Sequence, residues 1–430
     1  MFIKIVYPDI VQVCWLAPLF LFASVNAAEP PVWTLAASLQ RAIEVAPQVR
    51  LAEAEVAVRT SELTQANAWT NPSIELRADN KLGQEDGRGG VDFTQFAISQ
   101  PVPLWRLLGQ QNAQRTAAEA NIKGAHAQGR AQRLVLEQEV ARVFHLLQFS
   151  KARTALVKNR VDLARSYGRA AKGKKRDPLV RYLTPLERSR LAVLSEEAEQ
   201  TVVLAEKEYQ LALAEFRSLL ALPADAAVRV ATLELAVSPA ALVELESNIE
   251  THPALMAAQQ QLAASRAGIA VAEAQRFNDP SFSFFRERDF LNGARRDVTG
   301  VGVSVQIPLW NKNDGPVDRS RAETLRAQAE LDFRQRNALA NLRQSHIKLA
   351  RLVEQTEQVR TRLLAPAQQV LELTRRGFSA GESNVLALVD ANNTYFEAQL
   401  RHLDLLRDSQ LAAADLRLAA GQSQLAEVRP

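Results

Sequence analysis

From Leu104 to about Ala171, and again from Pro316 to about Arg376, only Pro366 and scattered glycines interrupt a helical pattern. At 1.5 Å per residue each run extends roughly 90 to 100 Å, and no compact globular domain can contain such a rod. The apolar positions Leu134, Leu136, Val140, Val143 and Leu147 in the first run, and Leu342, Leu349, Leu352 and Leu363 in the second, form narrow seams. Narrow seams pack helix against helix, in a sheath or a coiled coil. Composition agrees: the chain is 47% hydrophobic but only 6% aromatic, with Ala, Leu, Gln, Arg and Glu filling the long tracts.

The same word leads into each rod. "ISQPVPLW" ends at Trp105 and "VSVQIPLW" at Trp310, about 205 residues later. Both words close a longer repeat. In the first half "APQVRLAEAEVAVRTSELTQANAWTNPSIEL" leads through a loop to "VDFTQFAISQPVPLW"; in the second "HPALMAAQQQLAASRAGIAVAEAQRFNDPSFSF" leads to "DVTGVGVSVQIPLW". Each half thus reads helix, strand, loop, strand, long helix and return helix, which divides the chain into repeats at 28–222 and 239–430 joined by a linker at 223–238.

The strands are predicted near 72–80, 91–102, 280–290 and 297–308, each about 9 to 11 residues, the length a tilted strand needs to cross a bilayer. Val301, Val303, Val305 and Ile307 alternate with Gly302, Ser304 and Gln306, so one face is apolar and suited to lipid while the other is small or polar. Ile74, Leu76 and Ala78 alternate with Ser73, Glu75, Arg77 and Asp79 in the same way, and Phe282 and Phe284 with Ser281 and Ser283. Pro72 and Pro280 open strands and Pro103 and Pro308 close them, where a missing N–H is tolerated. Ordinary hairpins capping a helical bundle would show the same residues.

Each rod turns back at its far end. In the second half Gly377 and Gly381 supply permissive backbone, and the return helix runs to Ala420 before Gly421. In the first half the turn contains Gly173, Lys174, Lys175 and Arg176, and Thr184, Pro185 and Glu187 form a capping box that opens the return helix. The basic stretch Lys174–Arg181 makes this turn roughly eight residues longer than its counterpart, either as a solvated loop or as a contact surface.

The first residues place Lys4 ahead of an apolar run and end Val25-Asn26-Ala27, the pattern of a secretory signal covering 1–27; a membrane anchor is the competing reading. The one cysteine, Cys14, lies inside that segment. Lys+Arg 52 against Asp+Glu 48 leaves a formal charge of +4 without a basic stripe interleaved with aromatics, which argues against a nucleic-acid partner.

With the repeat in view, the chain resembles the outer-membrane factors of Gram-negative efflux systems, the TolC-type channels. The residues that carry the resemblance are "WTLAASLQRAIEVAPQV", the two strand pairs, "IPLWNKNDGPVDRSRAE" and "GFSAGESNVLALVDANNTYFEAQL". The Asn-Lys-Asn-Asp-Gly segment after Pro-Leu-Trp and the lack of a lipid-attachment cysteine look most like the CzcC-like branch for heavy-metal cations. The resemblance implies a mainly α fold with membrane β. Four strands per chain in a homotrimer would close a twelve-stranded outer-membrane barrel that continues as a helical tube across the periplasm. It further implies a passive channel, served by a periplasmic adaptor (membrane fusion protein) and an inner-membrane pump of the resistance-nodulation-division (RND) type, with outer-membrane lipid around the barrel. A multidrug conduit of the same family is the alternative within transport, and an exported coiled-coil structural or adhesin protein the alternative from another class.

Family members often carry an acidic pair one turn apart near the periplasmic tip. Asp390 matches the inner position, which makes it the expected entrance and selectivity residue, whereas Ala387 stands at the other. Gly173, Lys174, Lys175, Arg176, Gly377 and Gly381 are the expected adaptor-contact tip. The five histidines show no metal-ligand spacing, although His145 and His346 fall at equivalent places in the repeat; packing between helices and a metal-sensing ring are both open to them. No phosphate-binding glycine loop, nucleophile elbow or triad is recognisable, so neither enzyme activity, a resident metal nor a cofactor is expected.

Overall fold

The computed structural model describes residues 32–79, 92–104, 111–172, 184–291 and 294–427. The expected signal segment with Cys14, Trp105, and the expected tip residues Gly173, Lys174, Lys175 and Arg176 lie outside the described residues, as does the rest of the basic stretch to Arg181.

In chain order the elements are β1 (Val32–Trp33), α1 (Leu35–Val45), α2 (Pro47–Asn67), β2 (Ser73–Asp79), β3 (Asp92–Pro101), α3 (Gln111–Lys172), α4 (Pro185–Leu219), β4 (Arg229–Val230), α5 (Leu242–Ser247), α6 (Pro253–Ala274), β5 (Ser281–Leu291), β6 (Ala294–Ser304), α7 (Asp314–Val359), α8 (Ala365–Ala380) and α9 (Val385–Ala419). The sequence helix, strand pair, long helix, return helix is written twice. The rods are as long as expected: the 62 residues of α3 span about 93 Å, and the helical path from Asp314 to Ala380 about 100 Å.

The second rod is not a uniform α-helix. Residues Arg360–Leu364 form a π turn between α7 and α8. Pro366 follows directly; it lacks an N–H and its ring crowds the carbonyl four residues back, and a widened turn relieves both problems without ending the helix. Pro316 sits in the first turn of α7, where the missing N–H costs nothing.

Two equivalent apolar cores hold the middle of the molecule. Leu39 and Ala42 of α1, Leu136, Val140, Val143, Phe144 and Leu147 of α3, and Leu213, Phe216 and Leu220 at the end of α4 make one. Leu245, Ile249 and Leu255 together with Leu342, Leu349, Ala412, Ala413 and Leu416 make the other. Toward the far end the cores thin to coiled-coil seams, Val157 and Val161 of α3 against Ala205 and Ala198 of α4, and Leu371 of α8 against Leu388 and Ala391 of α9.

The return helices end alike. Gly421 N–H donates to Leu418 and Gln422 N–H to Arg417, with Gly421 at φ +70°; 200 positions earlier Ala221 donates to Ser218 and Leu222 to Arg217, with Ala221 at φ +49°. Beyond Ala221 the linker carries β4, which pairs in parallel with β1.

Candidate functional site

The four long strands form one antiparallel sheet in the order β2-β3-β5-β6. Ile74, Ile98, Phe284 and Val301 are register partners across all four strands, with Leu76 opposite Phe96 and Phe282 opposite Val303 on the same face. All of these side chains are exposed, Val301 to 81%. An eight-residue apolar band on one exposed face is what a lipid-contacting wall requires. On the hairpin side the band ends in charge: Arg286 and Arg288 both pair with Asp297, at 2.8 and 3.2 Å. On the helix side Trp69, Phe277 and Trp310 are exposed, Trp310 to 94%, so Trp310 does not pack into the strand-to-helix junction and is free for a membrane interface. Trp69 and Phe277 occupy matching places before Asn71-Pro72 and Asp279-Pro280, a signal the sequence reading passed over.

The opposite face carries Glu75, Arg77, Gln95, Ser99, Ser283 and Glu287, polar as a channel lining is. It also holds Phe285, whose ring covers Gly300 directly across the ladder; a Cβ built on Gly300 would lie 2.5 Å from the ring. One expectation needs correction. The strand predicted near 297–308 is Ala294–Ser304, so Val305 and Ile307 are exposed but lie past its end. Ser304 pairs with Ser281, the first residue of β5, and among the described residues no strand stands opposite the residues that follow. Among the described residues no helix is long and apolar enough to cross a membrane.

At the far end the turn between α8 and α9 is closed by backbone bonds. Glu382 and Ser383 N–H groups both donate to Gly377 O, at 2.8 and 3.2 Å, and a Cβ at Gly377 would meet Ser383 Oγ at 2.6 Å. Gly381 takes φ +80°, and Asn384 Oδ1 then caps α9 through Ala387 N–H at 2.8 Å. On α4 the expected capping box is present: Thr184 N–H donates to Glu187 Oε2 at 2.7 Å and Glu187 N–H to Thr184 Oγ1 at 3.3 Å. These bonds from Thr184 hold the Glu187 carboxyl below its ordinary pKa. Asp390 lies on an exposed stripe of α9 with Leu386, Thr394, Glu397 and Arg401, and makes no ion pair among the described residues.

The equivalent histidines make different bonds. His145 Nδ1 donates to Gln148 Oε1 at 2.8 Å, and Gln148 Nε2 donates to Ala231 and Thr232 in the linker; His346 Nε2 donates to Ala240 O at 3.0 Å. Gln148 thus fastens the linker to the first rod, while His346 ties the second rod to Ala240 just past the linker, and burial pushes the His145 pKa down to about 4. Among the described residues no group of three or more His, Cys, Asp or Glu is placed to hold a metal ion. Glu137, 1% exposed, was missed: it accepts from Ser423 Oγ at 2.6 Å, Gln424 N–H at 2.9 Å and Arg133 Nε at 3.1 Å, tying the chain's end to the first rod. An acid within the apolar seam Leu134-Leu136-Val140 was the signal for it.

An outward apolar band on an open four-stranded sheet, continued by paired rods of about 100 Å, defines the class: this is the TolC-like outer-membrane channel fold. Residues 245–422 match the family model described as outer membrane efflux protein. The cobalt-zinc-cadmium resistance protein CzcC of Cupriavidus metallidurans is 24% identical over 364 residues, covering 84% of this chain and 83% of its own. The nickel-cobalt-cadmium resistance protein NccC of Alcaligenes xylosoxydans is 25% identical over 315 residues, covering 72% and 68%. Among solved structures, the open state of the Neisseria gonorrhoeae MtrE outer membrane channel superposes with a TM-score of 0.73 at 17% identity, over 90% of this chain and 89% of that one.

Proposed function

We propose that this chain is the outer-membrane channel subunit of a tripartite efflux system and that its cargo is heavy-metal cations. The observation that carries the channel is the sheet: its band faces lipid, yet β2 and β6 are open edges whose backbone groups would be unpaired in a bilayer. Further copies of the chain remove those edges, and three of them give a twelve-stranded barrel with the rods below as a tube through the periplasm. The repeats 28–222 and 239–430 act as equivalent staves. A tube without a nucleotide site performs no work, so the driving force comes from an inner-membrane RND-type pump reached through an adaptor at the tip, where Gly173, Lys174, Lys175, Arg176, Gly377 and Gly381 lie. Asp390 faces the narrow periplasmic entrance, where three carboxylates favour cations.

The metal cargo is supported by the two relatives whose names are those of metal-resistance proteins. Deleting the gene and restoring it on a plasmid tests this reading. Sensitivity to zinc, cobalt, cadmium or nickel that the plasmid reverses, with unchanged tolerance of organic compounds, is expected. The opposite pattern would make the chain a conduit for organic compounds.

A further inference from the structure

Between the two hairpins of helices, near their far end, α3, α8 and α9 line a partly open cavity of about 270 Å³. Asn159 and Arg160 of α3, Arg375 of α8, and Asn392, Tyr395 and Phe396 of α9 line it. Asn392 is 3% exposed and its Nδ2 has no hydrogen-bond partner; Arg160 Nε is buried and equally without one. Both atoms are donors. An unpartnered buried donor costs about 1 to 3 kcal/mol, so two beside one cavity call for an acceptor within it.

Arg160 differs from the arginines around it. Arg153 and Arg165, also on α3, pair with Glu208 and Glu199 of α4. Arg160 instead donates through Nη2 to Asn393 Oδ1 at 3.0 Å and lies 4.3 Å over the Phe396 ring, with no carboxylate of the described residues at ion-pair distance. Burial lowers its pKa, and Glu197 and Glu397 favour its charged form only from exposed positions outside the cavity. Tyr395 Oη accepts from Gln399 Nε2 at 2.9 Å, which leaves its own proton to donate. No acidic side chain lines the space.

We propose that this cavity is a binding site for a small tetrahedral oxoanion of the phosphate or sulfate class, held by the Arg160 guanidinium and the Asn392 amide. The anion would join α3 of the first repeat to α9 of the second and so stabilise the arrangement of the two hairpins that forms the site. Water is the competing occupant, since at about 30 Å³ per molecule the space admits several. The inference rests on the fold and is independent of the cargo.

The test is thermal unfolding and calorimetric titration of the full chain in detergent, with phosphate or sulfate raised at an ionic strength held constant with chloride. A saturable rise in Tm is expected from either oxoanion. Asn392→Leu should weaken the apparent affinity at least about tenfold while leaving Tm in chloride unchanged or raised, because it removes an unpartnered amide. Arg160→Gln should act likewise on affinity, and Arg165→Gln should keep the full response. If wild type responds to the oxoanions no more than to chloride, or if Asn392→Leu responds as wild type does, the cavity holds water and the proposal is wrong; should Arg160→Gln fail to fold, Asn392→Leu alone decides.

Discussion

His145 and Ala221 show what single residues contribute and how they can be tested. The buried His145 is neutral, with a pKa of about 4 against about 6.5 for the unfolded chain. Between those values the unfolded state binds more protons, so stability is fully present above about pH 6.5 and is lost as the pH falls toward 4, by up to about 3 kcal/mol per chain. His145→Gln should flatten Tm against pH across that window; an unchanged slope would place the acid sensitivity elsewhere. Ala221 holds the left-handed conformation that Gly421 holds at its counterpart, at a steric cost near 1 kcal/mol. Ala221→Gly should therefore raise stability by about 0.5 to 1 kcal/mol, read as a higher denaturation midpoint. Asp390→Asn should reduce cation preference in planar bilayers while leaving assembly intact; selectivity equal to wild type would remove Asp390 from the entrance. Pattern reached these residues unevenly. Equivalent histidines were visible as a repeat, but the bonds of Gln148 and His346 to distant carbonyls were not, because such a bond leaves no periodic trace.

At the scale of elements, the wall is tested by neighbouring positions on opposite faces of one strand. Leu76→Arg puts a charge in the outward band, at a cost of about 2 to 4 kcal/mol per chain near the bilayer midplane, and should block insertion. Glu75→Arg, on the polar face, should insert normally; equal yields of the two in outer-membrane fractions would contradict the lipid-facing assignment. Gly302, on the same polar side of β6, is a poorer control, because a Cβ there would lie 2.7 Å from Ser283 Oγ. Thr184→Ala should loosen the start of α4 by about 1 kcal/mol, seen as faster amide exchange over its first turn. Strands, rods and return helices were legible because periods of two and 3.6 survive in a single sequence. The end of β6 was not, since Val305 and Ile307 continue the alternation after the partner strand has run out. The π turn before Pro366 and the cover of Phe285 over Gly300 were also hidden, one being a backbone response and the other a cross-strand pair fixed by register.

For the whole molecule, length and repetition carried most of the reading. Rods of about 100 Å rule out a compact domain, and a duplicated hairpin-and-rod unit gives two staves per chain. One chain leaves its sheet with open edges at β2 and β6, and on the proposed reading other copies of the chain complete it. The most direct measurement is disulfide trapping between those edges in intact outer membranes. In a Cys14→Ser background, one cysteine is stepped through Ser73 to Ala78 of β2 and a second through Val301 to Ser304 of β6. A closed barrel of three chains predicts that particular register pairs cross-link between chains and that complete oxidation yields a circular three-chain species, even in denaturant. Only single chains, or linear ladders beyond three, would contradict the barrel and with it the channel.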